Sequence, residues 1–293
     1  MYLATLPDKR QAVIEQFSDR EVLRNQEICI DINMKRFSLK RAEKQGYSVA
    51  LGLAVLLALL WWLNASQVKS AKLPDFTRIS DIPELKTSFF NFLEPLADSA
   101  NREVLNTRAW LLELKTELDQ GKRPDWFDRR SLKNIADHYG LEDTALTTEK
   151  LVEELLQRVD TIPAPLMLVQ AAAESGWGRS RFARQGNNLY GEWCYEKGCG
   201  LVPKKRSAGA RHEVQAFDRP YDSVVSYLHT LNTHPAYREL RQKRQALRNA
   251  ESAVTSQALA DTLIFYSERR QAYVNEIKNM LRQYRRLMSD DAS

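Results

Sequence analysis

Residues 163–178 read Pro-Ala-Pro-Leu-Met-Leu-Val-Gln-Ala-Ala-Ala-Glu-Ser-Gly-Trp-Gly. Pro163 and Pro165 preset a helix start, because the first turn does not need the N–H that proline lacks. From Leu166 to Ala173 the one polar residue is Gln170, so the predicted helix is too apolar to be exposed. Its three consecutive alanines predict close packing against a neighbour. Glu174 then falls in the last turn of a helix stopped at Gly176, where the negative end of the helix dipole disfavours an ionised carboxylate. Burial beside Trp177 acts in the same direction. A carboxyl held protonated near neutral pH is what a glycosidase general acid needs. A glutamate hydrogen-bonded inside the fold, or simply solvated, would carry the same local sequence.

Working outward, helices dominate on both sides. Asp81-Ile-Pro83-Glu84 reads as a helix start, followed by Phe89, Phe92, Leu93 and Leu96 at helical spacing. A second helix is expected over 102–118, with Val104, Leu105, Arg108, Leu111 and Leu112 on one side. Gly121-Lys-Arg-Pro124 breaks the pattern, and helices follow over 131–139 and 148–159. After Gly191 the character changes. Gly198, Gly200, Pro203 and Gly209 cluster, and Leu201-Val202 and Val214-Gln-Ala-Phe217 read as short strands. Helix resumes over 223–231, 236–250, 255–266 and 269–288, the last with Tyr273, Ile277, Leu281, Tyr284 and Met288 on one stripe. In the second of these regions Arg238, Arg241, Lys243, Arg244 and Arg248 crowd one helix, which reads as a solvated basic face. The expected fold class is α+β, mainly α: a helical body interrupted by a small β-lobe.

The N-terminal quarter is different. No charge occurs between Lys44 and Lys69, and Val49 to Leu63 is apolar apart from Gly52. These 24 uncharged residues would span about 36 Å as a helix, against roughly 30 Å of bilayer hydrocarbon. Tyr47 and the Trp61-Trp62 pair stand where interfacial aromatics belong. Lys35, Arg36, Lys40, Arg41 and Lys44 precede the run, so the positive-inside rule puts the N-terminus in the cytoplasm and the remainder outside. Asn64-Ala65-Ser66 is a poor cleavage site, which favours an uncleaved signal-anchor. The expected organisation is a cytoplasmic segment at 1–46, a transmembrane signal-anchor at 47–65 and a linker at 66–73. A helical subdomain at 74–145, a catalytic domain at 146–288 and a tail at 289–293 follow. Met34, directly ahead of the basic residues, is the expected true start, with 1–33 an extension.

Composition removes other classes. Gly and Pro total 21 of 293 residues, too few for collagenous or linker-like chains, and 43% hydrophobic with 28% charged is globular. A net charge of +5 from 43 basic and 38 acidic residues is too diffuse for a nucleic-acid surface, and export would remove the chain from nucleic acid. Three cysteines and four scattered histidines match no zinc spacing, so no metal or other cofactor is expected. Cys194 and Cys199 form an even pair in the exported part, with Gly198 letting the chain turn back. A disulfide is expected there, with Cys29 a thiol.

Gln170-Ala-Ala-Ala-Glu174-Ser-Gly-Trp-Gly178, Arg181-Phe-Ala and Gly186-Asn-Asn-Leu-Tyr-Gly191 together resemble glycoside hydrolase family 73. These are the lysozyme-like endo-β-N-acetylglucosaminidases of bacterial cell walls. Further agreement runs through Val202-Pro-Lys-Lys, His212-Glu-Val, Leu231-Asn-Thr-His-Pro-Ala-Tyr237 and Tyr266-Ser-Glu-Arg, covering roughly residues 73–287. The resemblance implies a lysozyme-like helical body with a cleft against the β-lobe, and peptidoglycan glycan strands as substrate. It implies Glu174 as general acid with Tyr266 near it, and Asn188, Leu189, Tyr190 and Gly191 as one cleft wall. Trp177 and Trp193 would offer faces to sugar rings, although Trp177 equally suits core packing. The family's second carboxylate is usually sought in the β-lobe, where this chain is basic: Val202-Pro-Lys-Lys-Arg-Ser. Glu213 is the first candidate, ahead of Glu192 and Glu196. Failing these, the substrate's N-acetyl group could assist, the enzyme could be a lytic transglycosylase, or the chain could be a non-catalytic wall-binding protein.

Overall fold

The computed structural model describes residues 66–289 except 142–144, 205, 207, 208 and 210. All of them belong to one compact unit, Trp61–Ser293. The expected signal-anchor at 47–65 and the proposed start at Met34 lie outside the described residues. Among those described, no helix is long and apolar enough to cross a membrane.

The two helices expected between 82 and 118 are one. Helix α1 runs unbroken over Ile82–Asp119, about 57 Å at 1.5 Å per residue. It starts on Asp81, whose carboxylate accepts the Glu84 N–H at 2.8 Å. It carries Pro95 in its interior without ending there. The Asp98–Asn101 stretch, expected to be a junction, forms helix because Ala97 and Ala100 are buried against the core. Its inner face is Val104, Arg108, Leu111 and Leu114, whereas Leu105 and Leu112 point to solvent at 45% and 46% exposure.

Helix α2 (Trp126–His138) opens earlier than the spacing predicts, because Asp125 and Asp128 cap each other's backbone N–H groups. Helices α3 (Thr148–Arg158) and α4 (Ala164–Ser175) follow. α4 is the centre of the molecule. Ten of its twelve residues are buried, and it packs against α1, α8 (Ser256–Ala260) and α9 (Gln271–Gln283). α1 also packs on α3 and on α6 (Pro220–Thr233), so helices on both sides of residue 145 share one core. The short α5 (Arg181–Gly186) leads into the lobe.

The lobe is a three-stranded antiparallel sheet in the order β1 (Trp193–Cys194), β3 (Glu213–Gln215), β2 (Gly200–Leu201). Trp193 pairs with Val214 and Cys194 with Glu213, while Leu201 pairs with Val214 from the other side. Cys194 and Cys199 are joined in a disulfide that closes the β1–β2 turn.

The basic run on α7 (Arg238–Asn249) is only partly a solvated face: Arg238 and Lys243 are exposed, whereas Arg241 and Arg244 are buried and Arg248 is half-buried. Arg244 is fully buried and donates to the carbonyls of Asp160, Thr161 and Gln157 and to Asn232 Oδ1 at 2.8–3.1 Å. Arg241 donates to the carbonyls of Leu231 and His234. Arg248 grips both oxygens of the buried Asp160 at 2.8 Å. Arginine suits this work because one planar fork satisfies several carbonyls where α3 and α6 end.

Candidate active site

The end of α4 is shaped by three successive residues with positive φ: Gly176 (58°), Trp177 (60°) and Gly178 (73°). Ser175 braces the turn, donating to Ala171 O at 2.6 Å and accepting the Gly178 N–H at 2.8 Å. A Cβ at Gly178 would stand 2.6 Å from Phe76 Cδ2, so this position admits only glycine without repacking. The turn throws Trp177 into an aromatic cluster of Phe89, Phe90 and Tyr284, with ring centroids 5.2–5.9 Å away. Trp177 is thus partly buried and packs edge to face in this cluster, next in the chain to the turn that follows the acid.

Glu174 is left half-buried at the end of α4. Burial pushes its carboxyl up, against a hydrogen bond from Tyr273 and the Arg269 guanidinium, which pull it down; Glu276 adds to the rise. Tyr273 was expected only in a core stripe. It is buried there, and its hydroxyl also serves Glu174 while accepting from Gln170 Nε2 at 3.0 Å. Tyr227 in turn donates to Gln170 Oε1 at 2.5 Å. The chain Tyr227–Gln170–Tyr273–Glu174 thus joins α6, α4 and α9 behind the acid. Spacing could not reveal it, because a core tyrosine and a tyrosine that reaches a carboxyl occupy the same helical stripe.

Tyr266 stacks on Tyr273, with ring centroids 5.4 Å apart and planes within 5°, and donates to the Tyr190 carbonyl at 3.1 Å. Its charge coupling to Glu174 places it in the same cluster, but its hydroxyl is engaged with the cleft wall. In that wall, Asn188 is buried and its side chain ties four backbone groups. It donates to Glu192 O and Gln215 O and accepts from Gly191 N and Glu192 N. Leu189 is buried, and Tyr190 stacks on Tyr227 at 3.9 Å. These three residues hold the wall from behind. The residue that faces the acid is Gly191, where a Cβ would lie 3.6 Å from Glu174 Oε2. Its φ of +72° is also one that L side chains rarely adopt. Trp193 is 55% exposed and stacked flat on His212 at 4.2 Å, which leaves its other face open.

Glu213, the first candidate for a second carboxylate, is the clasp of the disulfide loop. Its oxygens accept the N–H groups of Gly198 and Gly200 at 2.9–3.2 Å. Those backbone bonds hold its pKa below the ordinary carboxylate range. A carboxylate filled with backbone donors has little basicity left for a water.

Glu192, ranked behind it in the sequence, stands out instead. Oε1 accepts hydrogen bonds from Ser226 and Thr230 of α6, both at 3.1 Å, and Oε2 is buried without a hydrogen-bond partner. Burial pushes its pKa up to about 7, outweighing those two bonds. Tyr237 feels both Glu192 and Glu174, so the two carboxyls belong to one electrostatic cluster. Among the described residues no group of three or more His, Cys, Asp or Glu side chains is arranged to hold a metal.

Residues 149–286 match the family model described as mannosyl-glycoprotein endo-beta-N-acetylglucosaminidase. Protein bax of Escherichia coli (strain K12) is 34% identical over 228 residues, covering 77% of this chain and 79% of that protein. No solved structure matches. On the match to most of its length and on the family model that covers residues 149–286, the chain belongs to the bacterial Bax family of glucosaminidase proteins of the glycoside hydrolase 73 type.

Proposed function

We propose that this protein is a peptidoglycan hydrolase that cuts a β-1,4 glycosidic bond next to N-acetylglucosamine, with Glu174 as general acid. Family membership supports a glycosidase-like function on a wall glycan. The observation that carries the finer reading is the setting of Glu174. It is a half-buried carboxyl at a helix C-terminus, raised by burial, with glycine rather than a side chain opposite it. Trp193, with one face open beside the wall, is the sugar platform. The disulfide is consistent with an oxidising compartment. With the apolar stretch at 47–65 it supports a catalytic domain outside the cytoplasmic membrane, held there by a single-pass anchor.

Because Glu213 is committed to the loop, a second reading gains support: a route that needs one protein acid, either N-acetyl assistance or lytic transglycosylation. Mass spectrometry of muropeptides released from purified sacculi tests both. A reducing N-acetylglucosamine end supports hydrolysis, an anhydro end supports transglycosylation, and no release would mean a wall-binding protein without turnover. Glu174→Gln should lose at least about 100-fold in rate, the lower range of general acid catalysis, with circular dichroism unchanged. Retention of more than about a tenth of the rate would remove Glu174 from the role, since one decade is only ~1.4 kcal/mol.

A further inference from the structure

We propose that the exposed basic surface of the β-lobe and α5 binds the free carboxylates of the peptide stems, so that the protein selects stem-bearing glycan over bare glycan. This rests on the placement of the substrate cleft at Glu174. The net charge of +5, diffuse in the composition, is concentrated here. Residues 179–213 contain eight Lys and Arg against three Glu, whereas the rest of the chain balances at 35 basic and 35 acidic residues.

The fold turns two of those three acids inward. Glu213 is buried and accepts the N–H groups of Gly198 and Gly200. Glu192 accepts from Ser226 and Thr230 through Oε1, and its Oε2 is buried. Glu196 is the exposed one. The cations stay outside: Arg179, Arg184, Lys197, Lys204 and Arg211 are exposed, and Arg206 is half-buried. Among the described residues, the ion pairs all lie outside 179–213. Like charges gathered without counter-charges repel one another, and a polyanion relieves that repulsion.

Geometry ties this surface to the sugar platform. Trp193 stacks on His212 and keeps its other face open, and Arg206 Nη1 donates to the His212 carbonyl at 3.2 Å. A guanidinium has five N–H donors, so that bond leaves others for a carboxylate. Lys197 stands in the turn that the Cys194–Cys199 disulfide closes, directly after β1. Arg181 Nη2 donates to the Val202 carbonyl at 2.7 Å, which fastens α5, flanked by Arg179 and carrying Arg184, to the same lobe.

The chemistry of the occupant follows from the cleft. N-acetylated sugars are neutral, so a glycan strand carries its negative charge on the free carboxylates of its stems. Those stems branch from the strand itself and hang beside whatever sugar Trp193 holds. Arginine forks and mobile lysine ammoniums on exposed turns suit carboxylates on a flexible peptide.

The test measures binding of the full-length protein carrying Glu174→Gln, so that the strands survive. Three soluble glycans are compared: native strands, strands whose stem carboxylates are chemically amidated, and amidase-stripped strands that keep only the lactyl carboxylate of the sugar. At low salt, native strands should bind about tenfold more tightly than either of the others, a few-fold for each exposed ionic contact. The ratio should fall to near one in about 1 M salt, where the screening length is roughly 3 Å. Adding Lys197→Gln, Lys204→Gln and Arg206→Gln together should abolish the ratio, whereas Lys197→Arg with Lys204→Arg should keep it. Equal binding of all three glycans at low salt overturns the proposal. So does a ratio that survives the triple variant, or a triple variant that weakens on all three glycans alike. Stripped strands binding as tightly as native ones would assign the surface to the lactyl group instead. Vesicles of anionic phospholipid serve as a further probe: binding that the triple variant loses while the glycan ratio stays would assign it to a membrane. Failure of the hydrolase reading shows separately, as no muropeptide release by the protein with Glu174 intact while the ratio persists.

Discussion

At the scale of single residues, Glu192 links the site to folding stability. Its pKa is about 7 in the fold against an ordinary value of 4.5, so the folded state holds the proton more tightly. The stability this contributes is complete below about pH 4.5 and is lost as pH rises through 7. Between pH 5 and 8.5 the wild type should lose on the order of 2 kcal/mol relative to Glu192→Gln. Urea unfolding of both proteins at the two pH values measures it, and parallel changes would show that the buried carboxyl titrates normally. Glu174 and Gly191 show a complementary economy: the acid needs room on one side, and a residue without a side chain provides it.

At the scale of elements, the β-lobe has three strands of two or three residues, too short to be stable as an isolated sheet. Two devices hold it together, the Cys194–Cys199 disulfide and the Glu213 carboxylate on the N–H groups of Gly198 and Gly200. Removing the second should loosen the turn without touching the chemistry. Glu213→Gln is expected to speed tryptic cleavage after Lys197 severalfold while keeping glycan cleavage within a few-fold of wild type. A collapse of kcat as deep as that of Glu174→Gln would restore Glu213 as a catalytic carboxylate. An unchanged tryptic rate would mean that the disulfide alone holds the turn.

At the scale of the whole molecule, one buried carboxylate ties distant parts of the chain together. Asp160 is 1% exposed and lies within 4 Å of Arg108 on α1 and of Arg244 and Arg248 on α7. Burial pushes Asp160 up, but the Arg248 hydrogen bonds and the charges of Arg244 and Arg108 outweigh it and hold the pKa below the usual carboxylate range. Its stabilisation is therefore present above the unfolded-state pKa and lost as pH falls through the depressed folded value. Asp160→Asn should cost about 3–5 kcal/mol, because it leaves the fully buried Arg244 charge uncompensated. Chemical denaturation at pH 7 checks it, and a loss below about 1 kcal/mol would show that the backbone carbonyls alone satisfy Arg244.

The sequence by itself determined the buried α4 helix, its stop at Gly176 and the delivery of Glu174 to its end, because apolar runs, prolines and glycines act locally. It also marked the β-lobe and the cysteine pair, since the punctuation there is dense. It did not separate one long α1 from two helices: the outcome depended on which face of 98–101 met the core. Nor did it distinguish the arginines that cap α3 and α6 from a solvated basic face, because the partners of Arg244 and Arg248 at the end of α3 lie more than 80 residues away in the chain, and those of Arg241 lie across the turn between α6 and α7. The roles of Glu192 and Glu213 were decided at the same level. Both are glutamates in a Gly-rich lobe. Tertiary contacts gave one a set of backbone N–H donors and the other a pair of hydroxyls with its second oxygen unpartnered. A carboxyl's proton affinity is set by what surrounds it, and those surroundings come from other parts of the chain.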